Sequence, residues 1–243
     1  VTDEAGTPSG APTPGDSAFA RIPGVFFSPA ATFRNIALRP TWILPVVLWV
    51  FASLAVSAVI VPRMDFEKMM RERFEKSGRT VSEEQLQSIV ERQKKFAPVF
   101  GYFGAAVSPI LISLLVAAAL WGSFRAFGWD TTYPQSLGVT THAFLPSVLG
   151  ALLLLPLVAR QEKVDPSAIG DLLRSNLGFL VERDSKVLHS LLGSLDLFSF
   201  WTIALLTVGF ATAAKIRRGQ AAGIILTLWA LYVLGKAGFA AIF

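Results

Sequence analysis

The 243-residue chain has no cysteine. That excludes a disulfide framework, a thiolate metal site and a thiol nucleophile. Histidine is nearly missing as well: there are two, His142 and His189. No histidine or carboxylate stands three or four residues from His142, so the paired-ligand spacing of a metal-binding helix is absent. His142 reads as a polar residue packed at a helix head, and His189, among leucines, as an interfacial histidine. Charge is sparse, at 16% of residues against about 25% in a soluble domain. The net charge of +5 comes without an Arg/Lys stripe interleaved with aromatics, so no nucleic-acid partner is expected. There is no GxSxG, no P-loop and no GxGxxG after a strand. Ser123, Ser136, Ser147 and Ser199 lack an evident base. No catalytic residue, metal site or cofactor is expected, and the chain does not read as an enzyme.

Apolar residues dominate instead, at 53%, with a mean hydropathy of +0.54. The chain is organised around residues 41–61, TWILPVVLWVFASLAVSAVIV, which carry no charge. At 1.5 Å per residue this run can cross a hydrocarbon core of about 30 Å. Its backbone finds no water there, so it must be helical. Four further apolar runs follow at about 98–124, 137–159, 197–214 and 221–243. The expected fold is all-α: a polytopic membrane bundle of five transmembrane helices with interfacial helices beside them. The lipid bilayer is its first partner.

Residues 1–20 are rich in Pro, Gly, Ser, Thr and Ala and read as a disordered tail. With no basic start ahead of an apolar run they do not read as a signal peptide. Residues 21–40 read as an amphipathic lead-in helix, with Ser28 as N-cap and Pro29 at the first helical position. Phe26, Phe27, Phe33, Arg34 and Arg39 suit either a helix in the headgroup region or one packed on the end of the bundle. The membrane domain then occupies 41–243. Small residues such as Gly101, Gly104, Gly223, Gly235 and Gly238 suit close helix packing, and Pro45, Pro109, Pro146 and Pro156 are expected to kink their helices.

Residues 62–97 hold nine Lys/Arg and seven Asp/Glu. Phe66, Met69, Met70 and Phe74 keep helical spacing, and Ser82 with Gln85 gives a capping box that starts a second helix. This helical hairpin either caps the bundle as a solvated pair or docks another membrane-associated protein. In residues 160–196, Asp165-Pro166 reads as a helix start with Leu172, Leu173, Leu177 and Leu180 at helical spacing. A second stripe runs from Val187 to Leu195, and Asp196 caps the fourth span. Lys236 is the one charge well inside an apolar run. It can snorkel to the interface about 10 Å away or pair with Asp130 or Asp196.

Total charge favours placing the first and third loops in the cytoplasm, with fourteen Lys/Arg against seven on the opposite side. Charge next to span ends favours the reverse, through Arg34, Arg39 and the basic run 215–218.

Several local patterns together resemble the Yip domain family in its bacterial form, over roughly residues 25–240. They are Phe27-Ser28-Pro29-x-x-Thr32-Phe33 with Pro40 and Pro45, the charged hairpin leading into Gly101, Pro109 and Ile110, the segment from Tyr133 to Pro146, and Leu195-Asp196-Leu197-Phe198-Ser199-Phe200-Trp201. The resemblance implies five membrane helices and a cytoplasmic N-terminus. Eukaryotic members contact prenylated small GTPases, but the tail here lacks an acidic or aromatic docking motif. The Arg-over-Lys, Ala-rich composition resembles that of a high-GC bacterium, so the expected location is a bacterial inner membrane. Some bacterial relatives resemble accessory membrane subunits encoded beside ABC-type exporters. The expected role is therefore a non-enzymatic scaffold or accessory subunit that binds a membrane partner, a transporter complex or a second copy, or shapes the bilayer. The alternative is a transporter or permease-like subunit with a pathway between kinked spans. The expected interaction residues are Phe26, Phe27, Pro29, Phe33, Tyr133, Pro146, Asp196, Phe198 and Trp201.

Overall fold

The computed structural model describes residues 17–165, 169–182 and 185–242. Most of the tail expected at 1–20 lies outside these residues. From Ala18 the chain is helical. Helix α1 (Ala18–Phe27) is N-capped by Ser17, whose hydroxyl accepts from the Ala20 N–H at 3.1 Å. A single residue, Ser28, separates it from α2 (Pro29–Leu38). Pro29 has no N–H to continue α1, but at the first position of α2 that loss costs nothing. The single lead-in helix expected from the sequence is thus a helical hairpin.

Helix α3 (Ile43–Ile60) is the first span. A short 3-10 turn leads to α4 (Phe66–Lys76), N-capped by Asp65. Next comes α5 (Glu83–Ala126), 44 residues, opened by the expected capping box of Ser82 and Gln85. It measures about 66 Å. The second helix of the charged hairpin and the second span are therefore one rod, and Pro98 and Pro109 lie inside it without ending it.

The third span does break. Helix α6 (Tyr133–Ala143) gives way at Phe144 to α7 (Leu145–Ala159). Pro146 cannot donate to the carbonyl of His142 four residues back, and its ring crowds that carbonyl. Pro156 sits inside α7 without interrupting it.

The third loop departs from its leucine spacing. It holds only α8 (Ile169–Leu172), a 3-10 turn at Gly178–Leu180, and α9 (Lys186–Gly193) among the described residues. Pro166, half of the expected helix start, lies outside them. Asn176 overrides the helical pattern of Leu172, Leu173, Leu177 and Leu180. Its amide donates to Gly170 O, its Oδ1 accepts from Gly178 N–H at 2.8 Å, and it bridges to Asp196. Such side-chain bonds to nearby backbone compete with helix.

Helices α10 (Leu197–Ala213) and α11 (Arg218–Ile242) complete the bundle. Four helical stretches are long and apolar enough to cross a membrane: Ile43–Arg63, Glu83–Ala126, Tyr133–Ala159 and Arg218–Ile242. The expected fourth span, α10, is apolar but shorter, at 17 residues. The fold is an all-α membrane helical bundle.

Its register can be read from close contacts. Helix α10 runs antiparallel to α6–α7: Phe198 lies against Gly150, and Gly209 against Val139. Phe33 of α2 reaches the same point, where a Cβ on Gly209 would stand 3.1 Å from its ring and overlap Val139 Cγ1. Three helices meet where one has no side chain. Lipid tails are as apolar as Phe33, so packing of this closeness, rather than escape from water, holds such contacts. The glycines of α11 are used differently. A Cβ at Gly223, Gly235 or Gly238 would meet nothing within 4 Å, so they face outward rather than packing inside the chain. Gly209→Ala should cost about 2 kcal/mol by overpacking, measured as a lower thermal midpoint in detergent. An unchanged midpoint would mean that α2 and α6 do not close on α10.

Candidate functional site

Helices α1 and α2 are too short to span, about 15 Å each, yet they supply part of the core. Val25, Phe33 and Ile36 are fully buried with Phe124, Val139 and Phe210. The two helices touch where Gly24 faces Thr32; a Cβ on Gly24 would lie 2.5 Å from Thr32 Oγ1. Arg21, 2% exposed, closes the mouth of the hairpin. Its Nη1 donates to Arg39 O at 2.9 Å and to Thr41 Oγ1 at 2.7 Å. Arg39 ends α2, where backbone carbonyls lack helical partners and the helix dipole is negative. The two oxygen acceptors at Nη1 and the negative end of the helix dipole offset the cost of burying this cation.

Helix α6 forms the opposite wall. The Gln135 amide donates to Ala37 O at 2.9 Å. A Cβ on Gly138 would sit 3.2 Å from Thr41 O. His142 is buried, and its Nδ1 lies 2.8 Å from Gly138 O. A carbonyl only accepts, so Nδ1 carries the proton. Thr141 donates to Leu137 O and Ser136 to Ala117 O. These polar groups are turned onto helix backbones, the arrangement of structural hydroxyls.

The structure brings together some of the expected interaction residues. The rings of Phe26 and Trp201 meet edge to face, centroids 5.3 Å apart. Phe33, 0% exposed, is a packing residue in this fold. Phe27 is its converse, 87% exposed at the tip of the hairpin, with Pro29 half-buried beside it. Pro146 is buried. Phe198 fills the space over Gly150. Tyr133 stands apart, edge-on to Trp121 at 6.0 Å with its hydroxyl donating to Leu114 O. Asp196 caps α10 by accepting from Ser199 N–H at 2.9 Å. Lys236 is exposed and donates to Ser194 Oγ at 3.2 Å. Asp130, one of its candidate partners, binds Arg125 at 2.6 Å. Arg21, absent from the expected interaction residues, is the one that ties this region together. The signal available in the sequence was an arginine one turn into an apolar stretch.

A second polar region lies at the other end of the bundle. Helix α4 and the first turns of α5 share a small core of their own, Phe66, Met70, Leu86 and Val90. Arg71 binds Glu67 one turn back on α4 and Glu83 across the pair on α5. The base of this arm is tied to the third loop: Val164 N–H donates to Arg63 O at 2.7 Å, and Lys163 binds Asp65 at 2.8 Å. The hydrogen bond from Lys163 holds the Asp65 carboxyl below its ordinary 3.8, and the same bond pushes the Lys163 ammonium up. The depressed carboxylate supports the folded state above its ordinary range, and that support fades as pH falls through its folded value. The raised ammonium supports it below its ordinary range and fades in strong base. Both groups lie near the surface, so the effect is small.

The Yip1 domain matches residues 24–239. The chain belongs to the Yip1 domain family. Membrane protein YknW of Bacillus subtilis (strain 168) is 28% identical over 207 residues, 84% of this chain and 83% of that one. No solved structure matches. The Yip1 match opens inside α1 and takes in the hairpin turn, the charged arm and the apolar helices through α11. Among the described residues no group of three or more His, Asp or Glu could hold a metal ion.

Arg21→Met should remove about 2 kcal/mol of charge-assisted hydrogen bonding. Amide exchange across residues 18–38 should then speed up about 30-fold, while exchange in α4 is unchanged. Equal exchange in the variant and the parent would assign the closure of the hairpin to other contacts.

Proposed function

We infer that this Yip1 domain protein is a non-enzymatic accessory subunit of a membrane complex, an ABC-type exporter, and that it binds its partner through the α4–α5 arm. One observation carries this reading. The arm has its own core and ion pairs, yet α5 runs unbroken from it into the membrane. Its portion outside the apolar run, residues 83–97, projects about 22 Å. Arg92, Lys94 and Lys95 are exposed along it. A rigid charged arm on a membrane anchor is suited to docking. The resemblance of bacterial members to subunits encoded beside exporters names the partner class.

The reading as a transporter has less support. Only 17–39% of the apolar window of each spanning stretch is fully buried within the chain, so much of each is left to face lipid or a partner. A solute path also needs several polar groups directed at the solute near the midplane; Thr141, Ser136 and His142 are turned onto backbone carbonyls, which leaves the buried hydroxyls of Ser113, Thr140 and Thr202 without a hydrogen-bond partner.

The charge distribution supports a cytoplasmic N-terminus. At that end Arg34, Arg39, Arg125, Lys215, Arg217 and Arg218 are exposed or half-exposed, with Asp130 as the acid among the described residues there. At the arm end the basic side chains are mixed with acids: Arg71 pairs with Glu67 and Glu83, Lys68 with Glu72 and Lys163 with Asp65. Positive charge at span ends favours the cytoplasmic side.

Purification in mild detergent through a C-terminal tag should recover an exporter ATPase and its permease at stoichiometric yield. Arg92→Glu with Lys95→Glu should reduce that recovery at least tenfold without lowering the yield of the chain. Recovery of the chain alone, together with solute flux in liposomes, would support transport instead.

A further inference from the structure

The N-terminal hairpin has a direction. Its mouth, closed by Arg21 on Arg39 O and Thr41, lies beside Gly138. Its middle, Phe33, lies at Gly209, and its tip, Phe26, at Trp201. Trp201 is eight residues nearer than Gly209 to the start of α10, about 12 Å along the helix. Because α10 is antiparallel to α6–α7, that is also the direction in which the first span travels after Thr41. The tip therefore points into the membrane, not along its surface. The first span begins at Ile43, with the half-exposed Trp42 just before it, as at a headgroup boundary. Measured from there, the tip stands about 12 Å inside a hydrocarbon core of about 30 Å.

The outer side of the hairpin is apolar at mouth and tip, and the exposed charge between them, Arg34, lies one turn from Leu38, where its long side chain can snorkel to the headgroups. Phe19, Leu38 and Phe27 are 77%, 76% and 87% exposed. On α10, against which the hairpin packs, Leu197 and Phe200 are also 61% and 47% exposed, Phe200 beside Trp229 of α11. In a spanning helix such a surface meets lipid.

We propose that α1–α2 is a re-entrant hairpin, inserted to about mid-plane in the leaflet on the N-terminal side, with Phe27 against the acyl chains. The occupant of its outer face is lipid. Its backbone can stay there because both halves are helical and the turn is short: Ser28 N–H donates to Gly24 O at 2.8 Å, and Thr32 N–H to Ser28 O at 3.0 Å. Few backbone groups are left facing hydrocarbon. Arg21 is placed at the mouth, where its charge is nearest the headgroups. Insertion of the hairpin does not depend on which partner the arm binds.

The absence of native cysteine makes the test direct. Phe27→Cys, Phe19→Cys and Leu38→Cys are each spin-labelled in the full chain, reconstituted in phosphatidylcholine–phosphatidylglycerol vesicles. Collision with oxygen and with a water-soluble nickel chelate reports depth. The label at 27 should be exposed to oxygen, shielded from nickel, and on the order of 10 Å deeper than the other two. All three side chains are exposed, so the changes leave the core intact. Nickel access at 27, or equal depth at all three sites, would overturn the proposal in favour of a hairpin lying at the surface. Shielding from both reagents would overturn it in favour of a protein cover.

Discussion

Arg21 is the tie on which the N-terminal part of this molecule depends. It is a buried cation whose guanidinium reaches the end of α2 and the start of the first span together. Without such a tie α1 would be a ten-residue helix, marginal on its own. With it, α1 and α2 become one body, and that body delivers Phe33 and Ile36 to α6 and α10. Gly209 then allows three helices to meet at one point. Polar closure at the mouth fixes where the hairpin opens, and small-residue packing inside fixes how closely it fits.

The opposite end of the bundle is built on different physics. There the arm is held by exposed ion pairs and a four-residue core, each ion pair worth little singly. Its stiffness comes from α5, which carries one set of backbone hydrogen bonds from water into lipid. The two ends give one molecule a lipid-facing apolar hairpin and a water-facing charged arm. Membership of the Yip1 domain family covers both.

Much of this is legible in the sequence, and the failures are local. Ser82 with Gln85, and Asp196 with Ser199, announce their helix starts through side-chain bonds that span three residues, and both form as expected. The break at Pro146 follows from the chemistry of proline. Pro98 and Pro109 would signal the same, yet α5 passes through both, because two missing bonds in 44 residues do not outweigh the rest. Helix α1 is hidden by the low-complexity composition before it. Its partners, Arg39, Thr41 and Trp201, are distant along the chain, so no local pattern encodes its docking. The leucines of 172–180 show the reverse error. Their spacing is helical, but Asn176 and Gly178 form a turn that local spacing does not weigh. Of the expected interaction residues, Phe26, Phe33 and Trp201 are signals of packing. Aromatics in a membrane chain report burial and contact alike, and sequence does not separate the two.

The depth and the packing of the N-terminal hairpin both follow from its lying along α10 with its tip at Trp201. A double variant, Phe26→Cys with Trp201→Cys, tests that arrangement in native membranes with a short thiol-to-thiol crosslinker, since the chain offers no competing cysteine. Rapid intramolecular crosslinking is the predicted result, with slow or no crosslinking when Trp201→Cys is replaced by a cysteine at exposed Leu231 of α11. If both single cysteines react with a monofunctional reagent and the pair still fails to crosslink, the hairpin does not dock on α10.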